Sequence, residues 1–192
     1  FSFEDLRLFF SLVLIAISCI IMGAGIPTTA TYIILVAVAA PALAQLGIEP
    51  LVAHFFVFYY GVLADITPPV ALAAYAASGI AKSNPFRTGN TAFRLGIAKA
   101  LVPFVFVYSP SLLLITGEFQ TNQLIITLIG TLVGIALIGI AFSGYWFRPL
   151  KKYEQILIGL GSLFFVAPGM GSMLFGSVII LPMIFLQFYK KN

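Results

Sequence analysis

The sequence predicts an all-α integral membrane protein with a re-entrant hairpin and a discontinuous helix, and three observations carry that prediction. Hydrophobic residues make up 61% of the 192 positions and charged residues only 8%, and mean hydropathy is +1.10, so the apolar runs exceed what a soluble domain buries. One apolar run is interrupted by Ala64-Asp65-Ile66-Thr67-Pro68-Pro69-Val70. Another, near the N-terminus, is interrupted by Gly23-Ala24-Gly25-Ile26-Pro27-Thr28-Thr29.

The first element is the run 8–46, which at 39 residues is too long for one crossing and too short for two comfortable ones. Arms of about 15 and 17 residues joined at the Gly/Pro/Thr tip describe a hairpin that enters the membrane and returns to its side of origin. The second element, 51–82, is a broken transmembrane helix. Adjacent prolines remove two backbone donors and disfavour αR geometry at the preceding residues, so the helix unwinds near Asp65 and restarts after Pro69. Carbonyls orphaned at that depth require protein or a wet cavity around them. The third element is a helix over 99–116, bent at Pro103 and Pro110. The remaining 117–192 reads as a C-terminal transmembrane extension. It holds a small-xxx-small pair at Gly130 and Gly134 and a breaker at Pro168-Gly169-Met170-Gly171.

Charge gives the topology. Formal net charge is +4, but the basic residues are dispersed and form no nucleic-acid surface. Lys82, Arg87, Arg94 and Lys99 mark one polar connection, Arg148, Lys151 and Lys152 a second, and Lys190 and Lys191 the end of the chain; all three are expected in the cytoplasm. The connections at Gly47-Ile48-Glu49-Pro50 and 117–123 carry no Lys or Arg and are expected outside. The single cysteine, Cys19, allows no internal disulfide. Phe1-Ser2-Phe3 offers no initiator methionine or signal-peptide pattern, and the chain is read as the C-terminal part of a longer protein.

The two breaks supply hydroxyls, carbonyls and one carboxylate, which are hard ligands suited to Na⁺ or a proton. The candidate ion- and substrate-binding residues are Gly23, Gly25, Pro27, Thr28, Thr29, Asp65, Thr67, Pro68 and Pro69. Among them Thr28, Thr29, Asp65 and Thr67 are the candidate Na⁺ ligands. An ionised Asp at the bilayer centre costs about 2.5 to 3.5 kcal/mol on insertion scales, so Asp65 needs a cation, a proton or water. The blander readings are that Asp65 caps the helix restarting at the prolines and that Thr28 and Thr29 cap the second hairpin arm. Open breaks would make cysteines placed at Ala24 and Ala64 reactive to polar thiol reagents, against a lipid-facing control at Ile126. His54, within Phe55-Phe56-Val57-Phe58-Tyr59-Tyr60, reads as packing or interfacial anchoring. One intramembrane Asp and one His give no nucleophile-and-base pair and no metal-ligand spacing, which argues against a membrane enzyme and an organic cofactor.

Four stretches resemble a known family: Gly23 to Tyr32, Ala40-Pro41-Ala42-Leu43, His54 to Tyr60, and Ile66-Thr67-Pro68-Pro69-Val70-Ala71-Leu72-Ala73-Ala74-Tyr75. The likeness continues through Thr91 to Gly96 and Pro103 to Pro110. Together they are similar to the large, DctM-like membrane subunit of tripartite ATP-independent periplasmic (TRAP) transporters, of the TAXI type with fused permease subunits. The resemblance implies the C-terminal inverted-repeat half, over 1–116, of an elevator-type secondary transporter of the ion-transporter superfamily. It further implies symport with Na⁺ and import of small organic anions such as carboxylates or amino acids. Its partners would be a periplasmic TAXI-type substrate-binding protein, the N-terminal remainder of the same permease with its first repeat and small-subunit-like helices, and the lipid bilayer. Its place would be a bacterial or archaeal cytoplasmic membrane. Proton coupling and a structural or assembly subunit remain the alternatives.

Overall fold

A computed structural model describes residues 3–114, 121–167 and 169–189; the expectations placed on 117–120, Pro168, Lys190 and Lys191 lie outside them. Helices account for all the regular structure among the described residues, beside one isolated bridge between Tyr145 and Pro149. The chain forms two compact units, Phe1–Val107 and Tyr108–Asn192.

The first unit opens with α1 (Phe3–Gly23) and α2 (Thr28–Gln45), joined by the short tip 24–27. Their 21 and 18 residues exceed the expected arms, because α1 extends back through Glu4 and Asp5, whose charges suit a helix N-terminus. In α2 the buried residues are Thr31, Leu35, Ala39 and Leu43, a strict four-residue period that leaves Ile33, Ile34 and Val38 facing outward. Gly47, at φ 78°, closes α2: the Ile48 N–H donates to the Leu43 carbonyl at 3.2 Å. Pro50 then occupies the first turn of α3 (Pro50–Ala64), where its missing donor is harmless.

Helix α3 is central to this unit. Val52, Ala53, Phe56, Val57, Tyr60, Gly61, Leu63 and Ala64 are all buried in it, on two faces that pack against α1 and α2. Lipid is as apolar as leucine, so this association rests on close dispersion contact rather than on escape from water. After α3 the chain is non-helical over 65–71 and resumes as α4 (Leu72–Ile80).

The polar connection expected around 82–99 is instead largely helix α5 (Pro85–Gly96). Asn84 caps it by accepting from the Arg87 N–H at 3.1 Å, and Pro85 opens its first turn. A 3₁₀ stretch, Ile97–Leu101, leads into α6 (Val102–Tyr108). The helix expected over 99–116 therefore stops at Tyr108. The cause is Pro110, which forces Ser109 out of the helical region, to φ −143° and ψ 71°.

The second unit begins with a 3₁₀ turn, Pro110–Leu113, followed by α7 (Thr121–Ser143), α8 (Lys152–Val166) and α9 (Met170–Tyr189). A Cβ on Gly130 would lie 2.6 Å from the Phe165 carbonyl oxygen, and one on Gly134 would lie 2.6 Å from Val166 Cγ2. The pair read from sequence is thus where α7 lies nearly backbone to backbone on α8. Gly161 and Gly176 do the same for α8 and α9. At the α7–α8 turn the buried Glu154 carboxylate takes Arg148 at 2.6 Å, the Lys151 N–H at 2.8 Å and Gln187 Nε2 at 3.4 Å. Among the described residues five stretches are long and apolar enough to cross a membrane: Phe3–Gly23, Thr28–Gln45, Pro85–Tyr108, Thr121–Ser143 and Met170–Gln187.

A candidate ion site where the hairpin tip meets the broken helix

Four helix ends converge in the first unit. The C-terminal ends of α1 and α3 bring partial negative charge, and the N-terminal ends of α2 and α4 bring partial positive charge. Glycine makes the approach possible. A Cβ on Gly23 would sit 2.9 Å from Thr31 Cγ2 and 3.0 Å from Ala64 Cβ, and one on Gly61 would sit 3.2 Å from Thr31 Cγ2. Gly25 adopts φ 85°, in the left-handed region that favours glycine, and its missing Cβ would stand 3.3 Å from Val70 of the break.

That packing sets Thr28 beside Asp65: the Thr28 hydroxyl donates to Asp65 Oδ2 at 2.9 Å. Asp65 is half-buried. Its other oxygen, Oδ1, accepts no hydrogen bond among the described residues. The backbone N–H of Asp65 caps α3, and its carbonyl accepts from Ala73 at the start of α4 at 3.1 Å. The carboxylate therefore does not cap α4, whose cap residue is Ala71, at φ 38°. It lies against the first turn of α2, held there by Thr28. Likewise Thr28 does not cap α2, where Pro27 holds the cap position with no side-chain hydrogen bond; its hydroxyl is used across the seam instead.

The other candidates are placed differently. The Thr67 hydroxyl donates to the Leu63 carbonyl at 2.7 Å, satisfying an orphan acceptor at the end of α3. Thr29 is exposed and makes no side-chain hydrogen bond among the described residues. Pro27 and Pro69 are exposed and Pro68 half-buried; the Pro69 carbonyl accepts from the Tyr75 hydroxyl at 2.7 Å. No backbone N–H bonds to the carbonyls of Ile66 or Pro68 among the described residues.

Two residues that sequence reasoning did not name as site residues hold this arrangement. Thr31, 1% exposed, donates to the Ile26 carbonyl at 3.0 Å and presses its methyl on Gly23 and Gly61. The four-residue period running on through Leu35 is the signal that marks it as inward-facing. Tyr75 ties α4 back to the break, and nothing in its local sequence announces that. His54 does pack, with Nδ1 2.8 Å from the Tyr32 hydroxyl across α2 and α3.

Chemically the seam offers hard oxygen and no nitrogen or sulfur ligand. Among the described residues no cluster of three His, Cys, Asp or Glu side chains could hold a resident metal. A monovalent cation matched to one carboxylate oxygen, hydroxyls and carbonyls fits this donor set better than a divalent ion.

A family model described as tripartite ATP-independent periplasmic transporter, DctM component, matches residues 4–121. No curated protein and no solved structure matches.

Proposed function

This chain belongs to the DctM component family of tripartite ATP-independent periplasmic transporters, and from that premise we propose that it forms part of a Na⁺-coupled permease whose coupling ion binds at the tip–break seam. The observation that carries the reading is the Thr28–Asp65 hydrogen bond, with Asp65 Oδ1 left open beside it. Na⁺ at that oxygen neutralises the carboxylate and tightens the seam, so that tip and break move together as one loaded body. The N–H groups of the first turn of α2 then face a site of lower negative charge, which suits an organic anion. A carboxylate or amino acid delivered by a periplasmic TAXI-type binding protein fits that chemistry, with the first repeat of a fused permease completing the site in a bacterial or archaeal cytoplasmic membrane.

The test needs no substrate. The melting temperature of the purified full-length permease is compared in NaCl and in choline chloride at equal ionic strength. At one hundred times its dissociation constant, Na⁺ bound to the folded state adds about 2.7 kcal/mol. Asp65→Asn and Thr28→Ala should each shrink the sodium-specific rise, while Thr29→Ala keeps it. An undiminished rise in Asp65→Asn removes the seam from the ion site. No rise in the wild type, with uptake instead following pH, would favour proton coupling at Asp65.

A further inference from the structure

Helix α5 does not fit the role that its length gives it. The stretch Pro85–Tyr108 is apolar enough as a whole to count as a span, yet Arg87, Asn90, Thr91 and Arg94 all lie exposed on one face of α5. Arg87 and Arg94, seven residues apart, stand two turns from each other on that face, about 10 Å along the axis. An arginine at mid-bilayer costs about 2.5 to 3.5 kcal/mol on insertion scales, so this face belongs at a boundary. Exposed apolar side chains edge it on both sides, Phe86 at 67% and Leu95 at 66%, and Ile80, at the end of α4, is 88% exposed. The opposite face is glycine. Gly89 seats the Tyr75 ring, with a Cβ there 2.9 Å from Tyr75 Cε1, and Gly96 seats Ile66.

Charge singles out one occupant. Between Ala81 and Lys99 the chain carries Lys82, Arg87, Arg94 and Lys99 and no Asp or Glu. Among the described residues no carboxylate pairs with Arg87 or Arg94. A charged polar arc flanked by apolar side chains is the build of a helix lying in a bilayer interface. A guanidinium there takes a phosphate through paired N–H donors.

We propose that α5 is an interfacial helix whose Arg87 and Arg94 hold the headgroup phosphates of anionic phospholipid, with Phe86, Leu95 and Ile80 set in the acyl boundary. Because α5 packs on Tyr75 and Ile66, the lipid braces the segment that carries the break. The inference does not rest on the ion reading.

The full-length permease, reconstituted in phosphatidylcholine nanodiscs with and without phosphatidylglycerol, tests it by melting temperature. Phosphatidylglycerol should raise the wild-type melting temperature. Arg87→Gln with Arg94→Gln should reduce that rise while matching the wild type in phosphatidylcholine alone; Arg87→Lys with Arg94→Lys should retain more of it. Should the glutamine variant fail to fold, a wild-type measurement decides: high salt should erase the phosphatidylglycerol rise. A rise that is unchanged in the glutamine variant, or indifferent to salt, overturns the proposal. So does an equal rise from soluble glycerol 3-phosphate, which would mark a site for a free anion. An altered KM for uptake with the lipid effect intact would place the stripe on the transport path instead.

Discussion

At the scale of the residue, Thr28 and Arg148 each make one contact that decides much. The Thr28 hydroxyl is the described donor to Asp65, so Thr28→Val removes one charge-assisted hydrogen bond. With Thr28 exposed and water able to compete, the loss should be about 1 kcal/mol by chemical denaturation, and Thr28→Ser should restore most of it. Arg148 is a sharper case. Its partner Glu154 is 1% exposed, so Arg148→Ala strands a buried carboxylate and should cost about 3 to 5 kcal/mol. Replacing both partners with apolar residues of similar volume should cost less than that single change; an additive double variant would show that the pair is not coupled.

At the scale of the element, glycine positions sort by what faces them. Gly130 and Gly139 lie in the same helix, but a Cβ on Gly130 would be 2.6 Å from a backbone oxygen of α8, whereas one on Gly139 would meet nothing within 4 Å. Gly130→Ala should therefore destabilise by about 1 to 3 kcal/mol, through overpacking against a carbonyl that cannot yield. Gly139→Ala should be neutral or stabilise by up to about 1 kcal/mol through helix propensity. Equal melting shifts in the two variants would mean that α7 and α8 do not approach this closely. In the first unit, Gly23→Ala should wedge α1 from Ala64 and Thr31, and so weaken any sodium effect without touching an oxygen of the seam.

At the scale of the whole molecule, the question is where water reaches. Ala24 on the tip is half-buried, but Ala64 is 0% exposed. The expectation that both positions face a cavity therefore gives way to an unequal one: Ala64 is sealed by packing at Gly23, while Thr28 at the tip stays exposed. In a full-length background without Cys19, Ala24→Cys should label with polar thiol reagents much faster than Ala64→Cys. Ile126 is half-buried and makes a poor outward reference; Leu132, 61% exposed on α7, is better. Fast labelling at Ala64 would show that tip and break separate in the working protein.

The sequence by itself determined what the solvent is and where helices must stop. Apolar run length set the membrane class, and the Gly/Pro tip and the paired prolines ended α1 and α3, because missing donors act within a few residues. Asn84-Pro85 is as local a start for α5, although the charges around it read as a connection. Ser109-Pro110 was just as local a stop, although the apolar run continuing past it masked the signal. Only the tertiary structure decided that Thr28 meets Asp65 across 37 residues while Thr67 turns back to its own helix and Thr29 faces outward. All three threonines are chemically alike at the level of sequence. Thr67 bonds four residues back in its own segment, whereas the fates of Thr28 and Thr29 follow from the rotation of α2 against α3, which the contacts at Gly23, Gly61 and Thr31 fix, and lateral packing of that kind is settled only when the helices meet.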